Sequence, residues 1–259
     1  MIREWKALVQ FNMRYFTYHQ WLLAIAVFVI SNLVTLLYYG DLVSSTIDAF
    51  IFHFAVFEGA DILTIIHTLL PFFVLAYIVD LYMENNFHEN LLYTLLRISN
   101  RNAWALSHLT VLFAIHVVYL FFYYSLSWFI LHSIYKSGDI TVQYWAGKLS
   151  SKDVYSQWLF LFLSWIIQLI GSFSISLWQV YINLLTQKSG YGYFSAALMY
   201  IIPFIFGNVN LWIGSHGRLV NYDVLAPGSG SHSIAGFVFF HVLWILLFIY
   251  LSYRVMTRR

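Results

Sequence analysis

Histidine is the residue in this sequence best placed to do chemistry: there are ten, and His67, His116 and His241 fall inside long apolar stretches. A membrane-bound haem needs two histidines on facing helices at matching depth, and His67 and His241 lie at comparable depths in theirs. For each of the three, the simpler reading is a buried ring with hydrogen-bond partners. His88-Glu89 opens like the zinc-protease motif, but the second histidine would be residue 92, which is leucine. The run Gly228-Ser229-Gly230-Ser231-His232 lacks the G-x-S-x-G spacing of a hydrolase elbow and reads as a turn. With no cysteine, disulfides, thiolate metal sites and a thiol nucleophile are excluded. No Gly-rich phosphate loop of the P-loop type occurs, so the chain does not hydrolyse ATP by itself. No catalytic residue, metal site or resident cofactor is expected.

Ionisable groups inside a membrane mark function by default. Here no apolar stretch carries Asp, Glu, Lys or Arg at its centre, and Asp80 stands at the end of one. That argues against a pump built on membrane carboxyls. Uncharged polar groups are more numerous. Ser164, Gln168, Gly171, Ser172 and Gln179 trace one helical face, which suits either helix packing and a subunit interface or a translocation path. Asn32, His67, Asn208 and Asn210 are further candidates for lining a polar path.

The elements that would position these residues follow from composition. Of 259 residues, 61% are apolar and only 9% charged, against roughly a quarter charged in soluble domains. Lipid must therefore be the solvent for much of the chain. Crossing a bilayer core as a helix takes roughly 20 apolar residues. Six stretches qualify: Trp21–Tyr39, Ile62–Tyr82, Leu109–Ile134, Trp158–Ile182, Phe194–Ile213 and Ile234–Tyr253. Backbone groups in lipid must bond within their own segment, so each is expected to be a helix. The expected fold is an all-α polytopic membrane protein, one transmembrane domain over 1–259. Pro71 and Pro203 should kink the second and fifth spans, with neighbouring helices satisfying the freed carbonyls. Segment Phe50–Phe57 is too short to span, and is expected on the outer interface or as an extension of the second span.

Charge asymmetry orients the chain. With the N-terminus inside, Arg3, Lys6, Arg14, Arg97, Arg101, Lys188, Arg254, Arg258 and Arg259 are cytoplasmic, and only Lys136, Lys148, Lys152 and Arg218 are outside. Both ends then face the cytoplasm of a cell with this protein in its cytoplasmic membrane. The charges in the first residues leave no clean apolar run for a cleavable signal peptide. Residues 1–19 read as an interfacial amphipathic helix, with Ile2, Trp5, Leu8, Val9, Met13 and Phe16 on one side and Arg3, Lys6, Gln10 and Arg14 largely opposite. Residues 84–100 read as a second amphipathic helix, ending near Ser99–Asn102. There Phe87, Leu91, Leu92, Leu95, Leu96 and Ile98 interleave with Glu84, His88, Glu89 and Arg97. Residues 214–233 form an outer loop or a re-entrant segment.

This layout resembles the permease subunits of ABC-2 (type-2 ATP-binding-cassette) exporters over essentially the whole chain. Those subunits have an interfacial N-terminal helix, six spans, a cytoplasmic coupling helix between spans two and three, and an outer re-entrant segment between five and six. Anchored on Arg101, the coupling motif of the family puts Asn90 and Leu91 at its Thr-Leu positions, Leu95 in its leucine run and Asn100 at its serine. Glu89, Leu92, Ile98 and His108 depart from its glycine, acidic, proline and lysine positions. The resemblance implies a subunit without its own catalysis, with ATP and magnesium bound by a partner ATPase. Leu91, Leu95 and Leu96 would be the apolar anchors in that ATPase, and Glu84, Glu89, Arg97 and Arg101 its polar rim. A second permease copy or homologue and membrane lipid are the other partners implied; nucleic acid is not. The cargo would be amphipathic or hydrophobic: a peptide, an antibiotic or a lipid. A haem-binding membrane redox protein and a non-transporting immunity or assembly factor are the alternatives.

Overall fold

The computed structural model describes residues 2–14, 18–43, 45–54, 62–89, 100–135, 156–188, 190–206, 214, 216 and 233–258. Every extended element among them is helical. Eight α-helices follow one another: α1 (Ile2–Met13), α2 (Tyr18–Tyr39), α3 (Thr46–Phe54), α4 (Ile62–Met83), α5 (Arg101–Ile134), α6 (Gln157–Thr186), α7 (Tyr191–Phe206) and α8 (Ile234–Arg258). Five of these, α2, α4, α5, α6 and α8, are long and apolar enough to cross a membrane. Of the sixth expected span, the described part is helix α7, 16 residues long and carrying Pro203, and 207–213 lie outside the described residues.

Burial is distributed as lipid solvation demands. Leu37 is 84% exposed, whereas Asn32 on the same helix is fully buried. Leu22, Ile25 and Leu33 of α2 and Leu243, Leu246, Leu247 and Tyr250 of α8 face outward, while Ser31, Thr35, His116, Gln168 and Gln179 are enclosed. Water would punish so large an apolar surface, and hydrocarbon does not. The chain is a multi-pass membrane protein. Below, the end of the bundle where α1 packs is called proximal and the opposite end distal.

Helix α1 lies against the start of α5. Leu8 and Val9 turn toward the core as the amphipathic pattern requires, but Ile2 and Met13 are exposed and the most buried residue is polar. Asn12 donates its amide to Ser107 Oγ at 3.1 Å, next to His108, whose Nδ1 is 2.5 Å from Tyr82 Oη. Helix α5 begins eight residues before the expected span, because Asn100 caps it: Asn100 Oδ1 accepts from the amides of Asn102 and Ala103. Asn100–Asn102 therefore opens a long helix. Asn100 in turn donates its own N–H to Glu4 of α1 at 3.3 Å.

Helix α3 takes in the start of the segment Phe50–Phe57, whose residues 55–57 lie outside the described residues. All nine residues of α3 are buried, packed between α2 and α5. Ser45 caps it by accepting the Asp48 amide at 3.2 Å, and Thr46 Oγ1 donates to the Tyr135 carbonyl at 2.9 Å. Phe54 stacks on Tyr124 at 4.3 Å and Phe52 on Tyr39 at 4.8 Å. Aromatic density, not length, keeps this short helix inside.

Both prolines lie within helices, and each releases the carbonyl four residues earlier. Pro71 releases that of His67, which accepts from Ser31 Oγ of α2 at 3.1 Å. Pro203 releases that of Met199, and Gly214 is pressed directly onto that oxygen.

Candidate functional site

The distal half of the bundle encloses a polar cluster built from four helices. Ser31, Asn32 and Thr35 recur at helical spacing on α2 and face inward. Thr35 Oγ1 is hydrogen-bonded to His53 Nδ1 of α3 at 2.7 Å and, more loosely, to His67 Nε2 of α4 at 3.4 Å. His53 Nε2 meets Ser127 Oγ of α5 at 3.3 Å, and Asn32 Nδ2 donates to that same oxygen at 2.9 Å. The two imidazoles are 6.2 Å apart, and Tyr123 flanks His53 at 5.5 Å. Asn32 Oδ1 is buried and accepts no hydrogen bond from the protein. Alternating donors and acceptors of this kind can hold a polar group or pass a proton in a medium where isolated polar atoms are costly.

Sequence reading singled out Asn32 and His67 but not His53. Only the folding of α3 into the core brings His53 to His67. His116 is elsewhere, with Nδ1 against the Leu112 carbonyl at 2.7 Å and Nε2 against Ser176 Oγ at 2.8 Å. His241 bonds the Phe237 carbonyl of its own helix at 3.0 Å. Among the described residues, no three His, Asp or Glu side chains are grouped to hold a metal ion.

The polar face of α6 lies inside the chain. Ser164, Gln168, Ser172 and Gln179 are all fully buried. Ser172 bonds within its own helix, to the Leu169 carbonyl. Gln179 donates to the Ala76 carbonyl of α4 at 2.8 Å. By contrast Ser164 Oγ and both amide atoms of Gln168 have no hydrogen-bond partner in the protein. A buried unpaired polar group costs about 1–3 kcal/mol, so Gln168→Leu is expected to raise stability by about that much. Thermal denaturation in detergent checks it, and a loss of stability would show that the amide is satisfied.

One turn of α6 beyond Gln179, a latch closes the proximal end. Asp80 Oδ1 accepts from Asn183 Nδ2 at 2.8 Å, and its Oδ2 accepts from the Gly190 amide at 3.1 Å. Asn183 Oδ1 then accepts the Gly192 amide at 2.9 Å. Gly190 has φ +89°, open to glycine at no steric cost, and a Cβ on Gly192 would overlap the Asn183 amide. All the atoms Asp80 binds are N–H donors, so it serves as an acceptor joining α4 to the α6–α7 turn and not as a cation ligand. The sequence showed Asp80 at a span end but gave no sign of its partners, which are about a hundred residues away.

A second close approach fills the middle of the bundle. His216 is fully buried, 5.3 Å from Phe72 of α4 and 5.4 Å from Tyr200 of α7. Gly171 of α6 leaves the space for it, since a Cβ there would collide with the imidazole. Position 216, in the segment 214–233 read as an outer loop or a re-entrant segment, thus packs inside the helix bundle. Gly171 belongs to the polar face that sequence reading identified, and its role is to admit this ring.

Of the expected coupling residues, Glu84 is half-buried in a wider, π-type turn, Glu84–Glu89, that continues α4, and Glu89 ends that turn. Arg101 is exposed at the first turn of α5. Leu91, Leu95, Leu96 and Arg97, like Asn208, lie outside the described residues.

Fold and site together define an all-helical, multi-pass membrane protein whose described interior is joined by hydrogen-bonded polar groups, most of them uncharged. No protein-family model, curated protein or solved structure matches the chain.

Proposed function

We propose that this chain is the membrane-spanning permease subunit of an ATP-binding-cassette exporter in the cytoplasmic membrane. In this reading α7 with the residues after it is the sixth span, and both ends and the proximal face are cytoplasmic. The observation that carries it is the mechanical connection of residues 84–100. On one side the turn Glu84–Glu89 continues α4, and on the other the Asn100 cap opens α5. Helix α1 is fastened to the same junction through Glu4 and Asn12. A push on this segment therefore reaches two long helices and the interfacial helix at once. Asp80 extends the linkage from α4 to the α6–α7 turn. A partner ATPase, binding ATP and magnesium, would supply the push, and a second permease copy or homologue would complete the path for an amphipathic or hydrophobic cargo. In this role Leu91, Leu95 and Leu96 anchor the segment in the ATPase, with Glu84, Glu89, Arg97 and Arg101 at the rim.

The test is purification of the tagged chain from its own membrane. An ATPase bearing a P-loop is expected to accompany it, and Leu91→Asp with Leu95→Asp is expected to cut that retention by at least about tenfold, the equivalent of one lost anchor. Insertion should be unchanged. Undiminished co-purification in the double variant counts against the coupling role. A Soret band in the pure protein would favour the redox alternative, and a partner ATPase indifferent to this chain would favour an assembly or immunity factor.

A further inference from the structure

Helix α6 carries no charged residue, and most of its serine and amide side chains have a partner. Ser174 donates to the Ile170 carbonyl at 2.8 Å, Ser176 Oγ meets His116 Nε2 at 2.8 Å, and Asn183 donates to Asp80 at 2.8 Å. Ser164 and Gln168 are without one. Ser164 Oγ and both amide atoms of Gln168 are unpaired, and both side chains are fully buried. They stand four residues apart, on one face of the helix. That face is enclosed within a single chain, so a second copy does not reach it. Packing alone would favour apolar side chains at both positions, since each unpaired group costs about 1–3 kcal/mol. A ligand that pairs them on binding accounts for their presence.

The missing partners define the ligand. It is uncharged, because α6 offers no counter-charge. Gln168 presents an unused N–H donor beside an unused carbonyl acceptor, and a peptide group answers both with its own C=O and N–H. The spacing fits as well. Four helical residues rise about 6 Å, and the peptide groups on one side of an extended chain recur about every 6.6 Å. A phospholipid ester has acceptors only, and would leave the Gln168 carbonyl unpaired. A sugar would bury several hydroxyls for each one that this apolar helix could pair. We propose that Ser164 and Gln168 bind the backbone of an extended, uncharged peptide. The face is closed in this structure, so the peptide enters as α6 parts from the helices that cover it. Its role as cargo rests on the exporter reading, whereas its binding is measurable without the ATPase.

The test is equilibrium binding of a tritiated hexapeptide of alanine and leucine, acetylated and amidated at its ends, to the full-length protein in nanodiscs. Its depsipeptide analogue, in which ester oxygens replace the N–H groups, keeps the shape and apolar surface but lacks the donors. The wild-type protein is expected to bind the peptide about tenfold more tightly than the analogue. Gln168→Leu should lose that preference and bind the two alike. The comparison of ligands on the wild-type protein needs no variant, so it stands even if Gln168→Leu does not fold. Equal affinity of the wild-type protein for both, or no binding of either, overturns the proposal. So does a preference that survives in folded Gln168→Leu. Discrimination by a protein that retains no ATPase would leave the peptide site standing and remove only the exporter reading.

Discussion

Gly214→Ala is expected to unseat His216 and to destabilise the bundle by about 3 kcal/mol, at the upper end of the ordinary cost of overpacking. The demand on Gly214 is for space and not for an unusual backbone conformation, because its φ lies outside the left-handed region. A methyl group there would overlap the Met199 carbonyl oxygen. That obstacle is backbone, and it belongs to a helix already lacking one hydrogen bond at Pro203, so no rotamer change can relieve it. Helix α7 must shift, or residue 214 must withdraw and take His216 from between Phe72 and Tyr200. The natural absence of cysteine makes the readout clean. A His216→Cys protein should resist a membrane-impermeant maleimide, and adding Gly214→Ala should expose it. Equal labelling of the two proteins would sink this account of the seat.

Asp80→Ala is the second large effect expected, about 2 kcal/mol, from the loss of two hydrogen bonds, one of which leaves the buried Asn183 amide without this acceptor. The Asn183 amide and the Gly190 N–H both depend on it, and Asp80 is only 8% exposed, so water offers little replacement. A double-mutant cycle with Asn183→Ala separates this latch from general packing: coupling of about 0.5–3 kcal/mol is expected for residues in one network. Additive effects would show that the two side chains do not act together. Gly192→Ala approaches the same latch from the other side by crowding the Asn183 amide, and should destabilise without removing any polar group.

Much of the membrane architecture was legible because lipid imposes a local rule. A helix must be long and apolar by itself, so Tyr18–Tyr39 and Ile234–Arg258 announce themselves whatever they pack against. Of the apolar run Phe194–Ile213, which obeys the same rule, the described helix covers residues up to Phe206. Segment Phe50–Phe57 failed the length rule and was read as lying on the outer interface or extending the second span, and hydropathy gave no sign that the nine residues of α3 are enclosed by neighbouring aromatic rings.

The polar interior divides in the same way. By itself the sequence determined that the chain lives in lipid, which helices cross it, that α1 is amphipathic, and that Asn32, His67 and the polar face of α6 point away from hydrocarbon. Each of these follows from residues a few positions apart on one helix. Only the tertiary structure decided that His53 meets His67, that Asp80 holds the α6–α7 turn, and that Gly171 and Gly214 make room for position 216. Those contacts join groups tens to more than a hundred residues apart, and their cause is packing: which helix leaves a gap, and which carbonyl a proline has set free. A single helix carries the demand for a partner but not the partner's address.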